Sequence, residues 1–180
     1  MRILLMGIVA ACILFACDNN TAESKSKDDS TAKKSGTMQS EFADAKYTDM
    51  GKASMVHFAK GDYEAWAEQF DENVVYSWSS GDSLTGKAAV VNYWKERRKL
   101  IDSVTLSNDI WLPIKINVPQ RGPDMPGVWT LQWQQVDVKY KNGKKLMFWV
   151  HTGSHYNKAD KVDRVITYMD RAPINKALGK

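Results

Sequence analysis

Cysteine is nearly missing from this 180-residue chain: there are two, Cys12 and Cys17, both close to its start. None is left for a folded domain, so disulfides, zinc–thiolate sites and cysteine nucleophiles are excluded there. A spanning apolar run is missing as well. The stretch from Ile3 to Phe15 is too short to cross a bilayer, which takes about 20 apolar residues. Charge of one sign is scarce: the net charge is +4, with no long Lys/Arg block and no zinc-finger spacing, so no nucleic-acid partner is expected. From Asp18 to Ser40 large apolar side chains are almost absent, and such a segment cannot offset its ordering entropy by burial.

The N-terminal "MRILLMGIVAACILFAC" has one early charge, Arg2, followed by an apolar stretch, the pattern of a signal peptide. Leu14, Phe15 and Ala16 before Cys17 resemble the bacterial lipobox, in which the cysteine is diacylated and becomes the mature N-terminus. Val9, Ala10 and Ala11 before Cys12 form a second match with a much shorter apolar run, and Cys17 is preferred. An ordinary signal peptide or a retained anchor is the alternative. The expected organisation is a signal peptide over 1–16, a lipidated Cys17 with a flexible tether over 17–40, and one domain over 41–180. The lipid at Cys17 places that domain at a membrane of the bacterial cell envelope, inner or outer, since each buried methylene contributes about 0.8 kcal/mol.

All seven tryptophans lie between Trp66 and Trp149, which marks the folded region. A first helix is expected over Phe42–Ala59, with Tyr47, Met50, Ser54 and His57 at helical spacing. Gly61 ends it and Asp62 caps the next, whose Tyr63, Trp66, Ala67 and Phe70 form one apolar stripe. "NVVYSW" reads as a strand, "SSGD" as a turn, and "LTGKAAVVNYWKERRKL" opens a third helix burying Val90, Val91 and Trp94. Its basic end, "KERRK", is expected to be a solvated helix terminus. The remainder reads as strands: 104–118 with an interruption near Pro113, 128–140, 144–156 and 162–171, with a Pro/Gly loop over "PQRGPDMPG".

Asn142-Gly143 is a strong hairpin signal, because a two-residue type I′ turn needs positive φ at both positions. That turn pairs Trp133 with Thr152, Gln135 with Val150 and Asp137 with Phe148 on one face. Val136 then opposes Trp149, and Val138 opposes Met147, on the other.

Helix, Gly-Asp, helix, "F-x-x-N-V-V", a glycine turn, "TGKAAVVNYW" and four or so strands together resemble the nuclear transport factor 2-like superfamily, its SnoaL-like branch in particular. The resemblance covers about residues 41–172. It implies an α+β fold, a cone-shaped curved antiparallel sheet wrapped around three N-terminal helices (cystatin-like), with an apolar pocket. Relatives use that pocket for acid/base work or only to bind ligands. For an isomerase of this superfamily the resemblance puts the base on Trp78 and the oxyanion-hole Tyr and Asp on Ser54 and Thr152. All three positions depart from the pattern, and an indole cannot abstract a proton, so Trp78 is read as wall.

The expected ligand pocket comprises His57, Trp66, Tyr76, Trp78, Trp94, Trp133, Gln135 and Thr152, and suits a small apolar or aromatic ligand. Asp137 is the one candidate general base, since a carboxylate on an apolar face is pushed toward protonation. His151 and His155, four apart on a strand, lie too far apart for one metal, so no metal site and no cofactor are expected. Trp111 and Trp129 are candidate rim residues. Val136, Val138, Met147 and Trp149 form an outer patch suited to a homodimer. The leading reading is a membrane-tethered binding domain. A hydrolase, isomerase or cyclase using Asp137, with Tyr63, Tyr76 or His57 as donor, is the alternative, and a protein-interaction domain on the outer sheet is a third. Replacing Cys17 with Ala should move the full-length protein from the detergent phase to the aqueous phase in Triton X-114 partition. Partition unchanged by Cys17→Ala would exclude that residue as the anchor.

Overall fold

The computed structural model describes residues 38–118 and 125–180; Cys17, the expected tether and most of the Pro/Gly loop lie outside them. Helix α1 (Lys46–Lys60) stops at Gly61, whose φ of 80° provides the left-handed C-terminal turn. Asp62 caps α2 (Tyr63–Ala67) by accepting from Ala65 N at 3.1 Å. These are the two roles that the Gly-Asp pair predicts. Helix α1 starts four residues later than expected because Ser40–Phe42 forms a short strand, β1, along the edge of the sheet.

Strand β2 (Phe70–Trp78) is followed by a short β3 (Ser83–Thr85), by α3 (Lys87–Arg98) and by β4 (Ile101–Ile116). Strands β5 (Gly127–Tyr140), β6 (Lys145–Tyr156) and β7 (Val162–Tyr168) and a C-terminal helix, α4 (Ala172–Ala177), complete the chain. The seven strands form one curved sheet in the order β1-β4-β5-β6-β7-β2-β3. It is antiparallel except at one seam, where β2 runs parallel to β7. The core lies between the helices and one face of the sheet, where Tyr63, Trp66, Phe70, Val74, Tyr76, Trp78 and Val90 are buried.

Strand β4 runs through Pro113, which pairs with Thr130; the irregularity falls instead between Ser107 and Ile110. There Asn108 takes a φ of 51°, and the extra residue of the bulge reverses the side-chain alternation. Leu106 before it and Trp111 after it therefore face the same way, toward the helices. Trp111 reaches α1 because position 51 is glycine: a Cβ there would stand 2.4 Å from the indole.

The β5–β6 register differs from expectation by one residue. Trp133 pairs with His151, Gln135 with Trp149, Asp137 with Met147 and Val138 with Leu146. The turn is longer than type I′: Tyr140 N–H donates to Lys144 O at 2.8 Å and Gly143 N–H to Tyr140 O at 2.9 Å. Gly143 alone has positive φ, 84°, which is a type I turn with a glycine bulge rather than two left-handed residues. Because side chains alternate with period two, the slip exchanges the two faces of β5, while Phe148, Val150 and Thr152 of β6 keep the cavity side expected of them. Val136 and Val138 consequently point toward the helices, and Trp133, Gln135 and Asp137 point away from them. Asn142 contributes through its side chain, donating from Nδ2 to Ala177 O at 2.8 Å and so fastening α4 to the hairpin. Gly143→Ala should cost about 1–2 kcal/mol because an L side chain is strained at that φ, whereas Asn142→Ala should lose only side-chain hydrogen bonds; thermal unfolding of the two variants distinguishes this turn from type I′.

Candidate functional site

Between the helices and the inner face of the sheet lies a cavity of about 160 Å³. Its helix wall is aromatic. Phe58 comes from α1, Tyr63 and Trp66 from α2, and Tyr93 and Trp94 from α3. Trp66 is the hub, with ring centroids of Phe70 at 4.7 Å, Phe58 at 5.0 Å and Trp94 at 6.4 Å in edge-to-face contacts, the arrangement the ring quadrupole favours. The sheet wall is made by residues of one parity, among them Gln132, Gln134 and Val136 of β5 and Phe148, Val150 and Thr152 of β6.

Of the residues expected at the pocket, Trp66, Tyr76, Trp78, Trp94 and Thr152 line this cavity. The other three, and the candidate base Asp137, do not. His57 is exposed on α1, with Nδ1 3.7 Å from Asp62 Oδ2. Trp133, Gln135 and Asp137 are displaced to the outer face by the one-residue register difference. Asp137 is paired there, accepting from Gln135 Nε2 at 2.8 Å, while Asn108 Nδ2 donates to Gln135 Oε1 at 2.8 Å.

His151 shares the outer face with Asp137, contrary to the expected register. The two are four strand positions apart, about 13 Å, so they still form no acid/base pair. His151 is stacked instead between Trp133 at 4.4 Å and Tyr168 at 5.6 Å. His155 is buried, with Nδ1 2.6 Å from Asp163 Oδ1 and Nε2 3.1 Å from Pro126 O. Among the described residues no group of three or more His, Cys, Asp or Glu is placed to hold a metal. Of the two candidate rim tryptophans, Trp111 lines the cavity, but Trp129 is buried, ring to ring with His155 and donating from Nε1 to Met125 O.

Several of the polar groups on the wall are engaged with one another. Gln69 Nε2 donates to Ser54 Oγ at 2.7 Å, which donates to Gly51 O at 2.9 Å. Gln132 Nε2 donates to Gln134 Oε1 at 3.0 Å, leaving the Gln134 amide hydrogens and the Gln132 carbonyl as further polar groups on the wall. The exception is Trp94 Nε1, buried without a hydrogen-bond partner among the described residues. The nearest acceptor is the Tyr76 hydroxyl, which accepts from Thr167 Oγ1 at 3.1 Å and whose pKa the Trp94 N–H also lowers. A buried donor left unpaired costs about 1–3 kcal/mol.

The wall's phenols are held neutral by burial. It raises the pKa of Tyr63, Tyr140 and Tyr156 and pushes Tyr76 up to about 12, partly offset at Tyr76 by the Thr167 hydrogen bond. At neutral pH these groups donate and accept hydrogen bonds but do not act as bases. The lining also includes two cations, Arg97 and Arg171, and no carboxylate, histidine or cysteine among the described residues. Arg97 belongs to the "KERRK" run and was expected in solvent. Its position three and seven residues beyond Trp94 and Val90 puts it on the buried stripe of α3, a signal present in the sequence.

No protein-family model and no curated protein matches the chain. Solved structures share its fold. A nuclear transport factor 2-like protein of unknown function from Burkholderia pseudomallei K96243 gives a TM-score of 0.57 at 12% identity, covering 72% of this chain and 95% of that one. A Pseudomonas putida KT2440 protein provisionally assigned as a polyketide cyclase gives 0.56 at 17% identity, covering 69% and 91%. TerC, co-crystallised with polyporic acid, gives 0.56 at 13% identity, covering 74% and 98%. At such identities the likeness shows the fold alone: the curved sheet and its helices are the α+β fold shared with these solved structures.

Tyr76 links the cavity to a pH window. Its pKa is raised on folding from an ordinary value near 10 to about 12, so its contribution is fully present below pH ~10 and is lost as pH rises toward the folded value. Urea midpoints measured from pH 9 to 12 should fall across that window, and Tyr76→Phe should flatten the fall. An unchanged slope in Tyr76→Phe would place the alkaline transition elsewhere.

Proposed function

We propose that this domain binds a small, largely apolar, ring-containing molecule in the cavity and does not transform it. The observation that carries the proposal is the aromatic-walled cavity of about 160 Å³, lined by Phe58, Trp66, Tyr76 and Trp94. An apolar protein cavity of about 150 Å³ takes up benzene, so the space suits a ring or the ring end of a longer molecule. The neutral phenols favour binding over proton abstraction, and Asp137, once its register is corrected, has no route to the cavity. Fold neighbours named for polyketide cyclisation or crystallised with polyporic acid support a small-molecule site in this fold.

Two further proposals accompany this one. The lipid at Cys17 tethers the domain to the cell envelope, and the outer face of the sheet joins two copies of the chain. The dimer contact rests on the exposure of Ile110, Met147, Trp149 and Tyr168, with Val136 and Val138 removed from it because they face the cavity.

Native mass spectrometry of residues 38–180 after incubation with extract of the source organism tests both contacts. The expected result is a dimer carrying a reproducible small adduct whose mass does not change with time. Thr152→Trp, which fills the cavity, should remove the adduct and keep the dimer mass; Trp149→Glu should do the reverse. An adduct retained in Thr152→Trp, or converted to a new mass on standing, would overturn binding without turnover in this cavity.

A further inference from the structure

The cavity's formal charge is carried by two arginines, and they are in different states. Arg171 Nη1 lies 2.9 and 2.6 Å from the carboxylate oxygens of Asp82 and 2.8 Å from Ser80 Oγ. Arg97 forms no salt bridge among the described residues. Its neighbours in the basic run are engaged elsewhere: Lys95 with Glu64, Lys99 with Glu96, and Arg98 with Ile101 O. Arg97 is held by Tyr93, whose hydroxyl accepts from Nε and whose ring centroid lies 4.8 Å from the guanidinium carbon. That use of Nε leaves the two terminal nitrogens, whose paired N–H groups fit the two oxygens of a carboxylate.

The position of Arg97 sets where such an anion would sit. It lies on α3 one turn beyond Trp94, a displacement of about 5 Å along the helix. Leu100 and Ile101, where the chain leaves α3, line the same end of the cavity, and Leu100 is 42% exposed. The aromatic wall therefore leaves room for a ring, and the only lining charge without a protein counter-ion among the described residues stands one turn of α3 beyond Trp94, near the exposed Leu100. A half-buried cation beside apolar surface is screened less by solvent than an exposed one, so it discriminates more strongly between ligands of opposite charge.

We infer that the ligand is an amphipathic anion, an aryl or alicyclic acid whose ring occupies the Trp66–Trp94 end and whose acid group meets Arg97. This rests on the cavity being a ligand site and adds the class of ligand. The Gln132–Gln134 pair serves the ring's polar substituents, and Arg97 selects the charge.

The probes are 3-phenylpropionate, 3-phenylpropanol and 3-phenylpropylammonium, which share a ring and a three-carbon reach and differ in charge. Isothermal titration calorimetry on residues 38–180 should rank them acid, alcohol, ammonium, with the acid tighter than the alcohol by at least about tenfold, the size of one charge-assisted hydrogen bond. Arg97→Met should bring the acid-to-alcohol ratio to within about twofold, and Arg97→Lys should restore part of it. An alcohol that binds wild type as tightly as the acid, or a ratio unchanged in Arg97→Met, overturns the charge preference and leaves cavity binding standing. Failure of all three probes to bind folded wild type overturns cavity binding itself, and the charge preference with it.

Discussion

Side-chain parity in the three long strands is the constraint on which both faces of this domain depend. Along β5 and β6, residues of one parity line the cavity and those of the other cover the outside, and the choice between them is made at the β5–β6 turn. Gly143 provides the single left-handed residue that closes this turn, and the extra loop residue fixes the pairing of every position from Lys139–Lys145 to Val128–Tyr156. In β4 the bulge at Asn108 reverses parity midway, so that Leu106 and Trp111 both turn inward along a strand that would otherwise send one of them out. A one-residue slip of β5 at the turn would bury Asp137 and Gln135 against the aromatic cluster, at a desolvation cost that a marginally stable domain could not offset, and loss of the β4 bulge would turn Leu106 or Trp111 outward.

The helices answer that parity with a wall of their own. Phe58, Trp66, Tyr76 and Trp94 come from α1, α2, β2 and α3, yet their ring centroids fall within 6.5 Å of Trp66. Each large ring buries about 150–250 Å², and rings meeting edge to face leave gaps that aliphatic side chains of the sheet do not fill completely. The low polarity of that enclosure raises the pKa of Tyr63, Tyr76, Tyr140 and Tyr156. Packing and recognition thus use the same atoms. The wall that stabilises the core also sets the polarity of the site.

How much of this could be read from the residues varied with the range of the signal. Gly61-Asp62, the stripe Tyr63–Trp66–Phe70 and the apolar face of α3 are local, and they placed three helices and the long strands. Strands β1 and β3 have three residues each and α4 has six, too few for any periodicity to accumulate. The register was out of reach for a different reason. Asn-Gly suits a two-residue type I′ turn and also a type I turn with a glycine bulge, and the two differ by the one residue that exchanges the faces. Trp66, Tyr76, Trp78 and Trp94 were placed independently of that turn and line the cavity. Trp133, Gln135 and Asp137, and conversely Val136 and Val138, depended on it and changed sides. Arg97 was legible on the stripe Val90–Trp94–Arg97 but was hidden by the basic run around it, which reads first as a solvated helix end.

The two lining arginines show why composition alone does not give the charge of a site. Asp82 is held at a pKa of about 2 by the Ser80 and Arg171 hydrogen bonds. Its folded value lies below the ordinary one, so the stabilising contribution of the pair is complete above pH ~4 and lost only as pH falls toward 2. Through the physiological range Arg171 is therefore neutralised and acts as a clamp between the β2–β3 turn and the start of α4. Arg97, stacked on Tyr93, keeps its charge whole, because a phenol ring orients a guanidinium without compensating it. A lining with two cations thus presents the field of one, at the end of an aromatic cavity, and a single oriented charge in low-polarity surroundings selects a ligand by charge more sharply than a solvated cluster of the same sign.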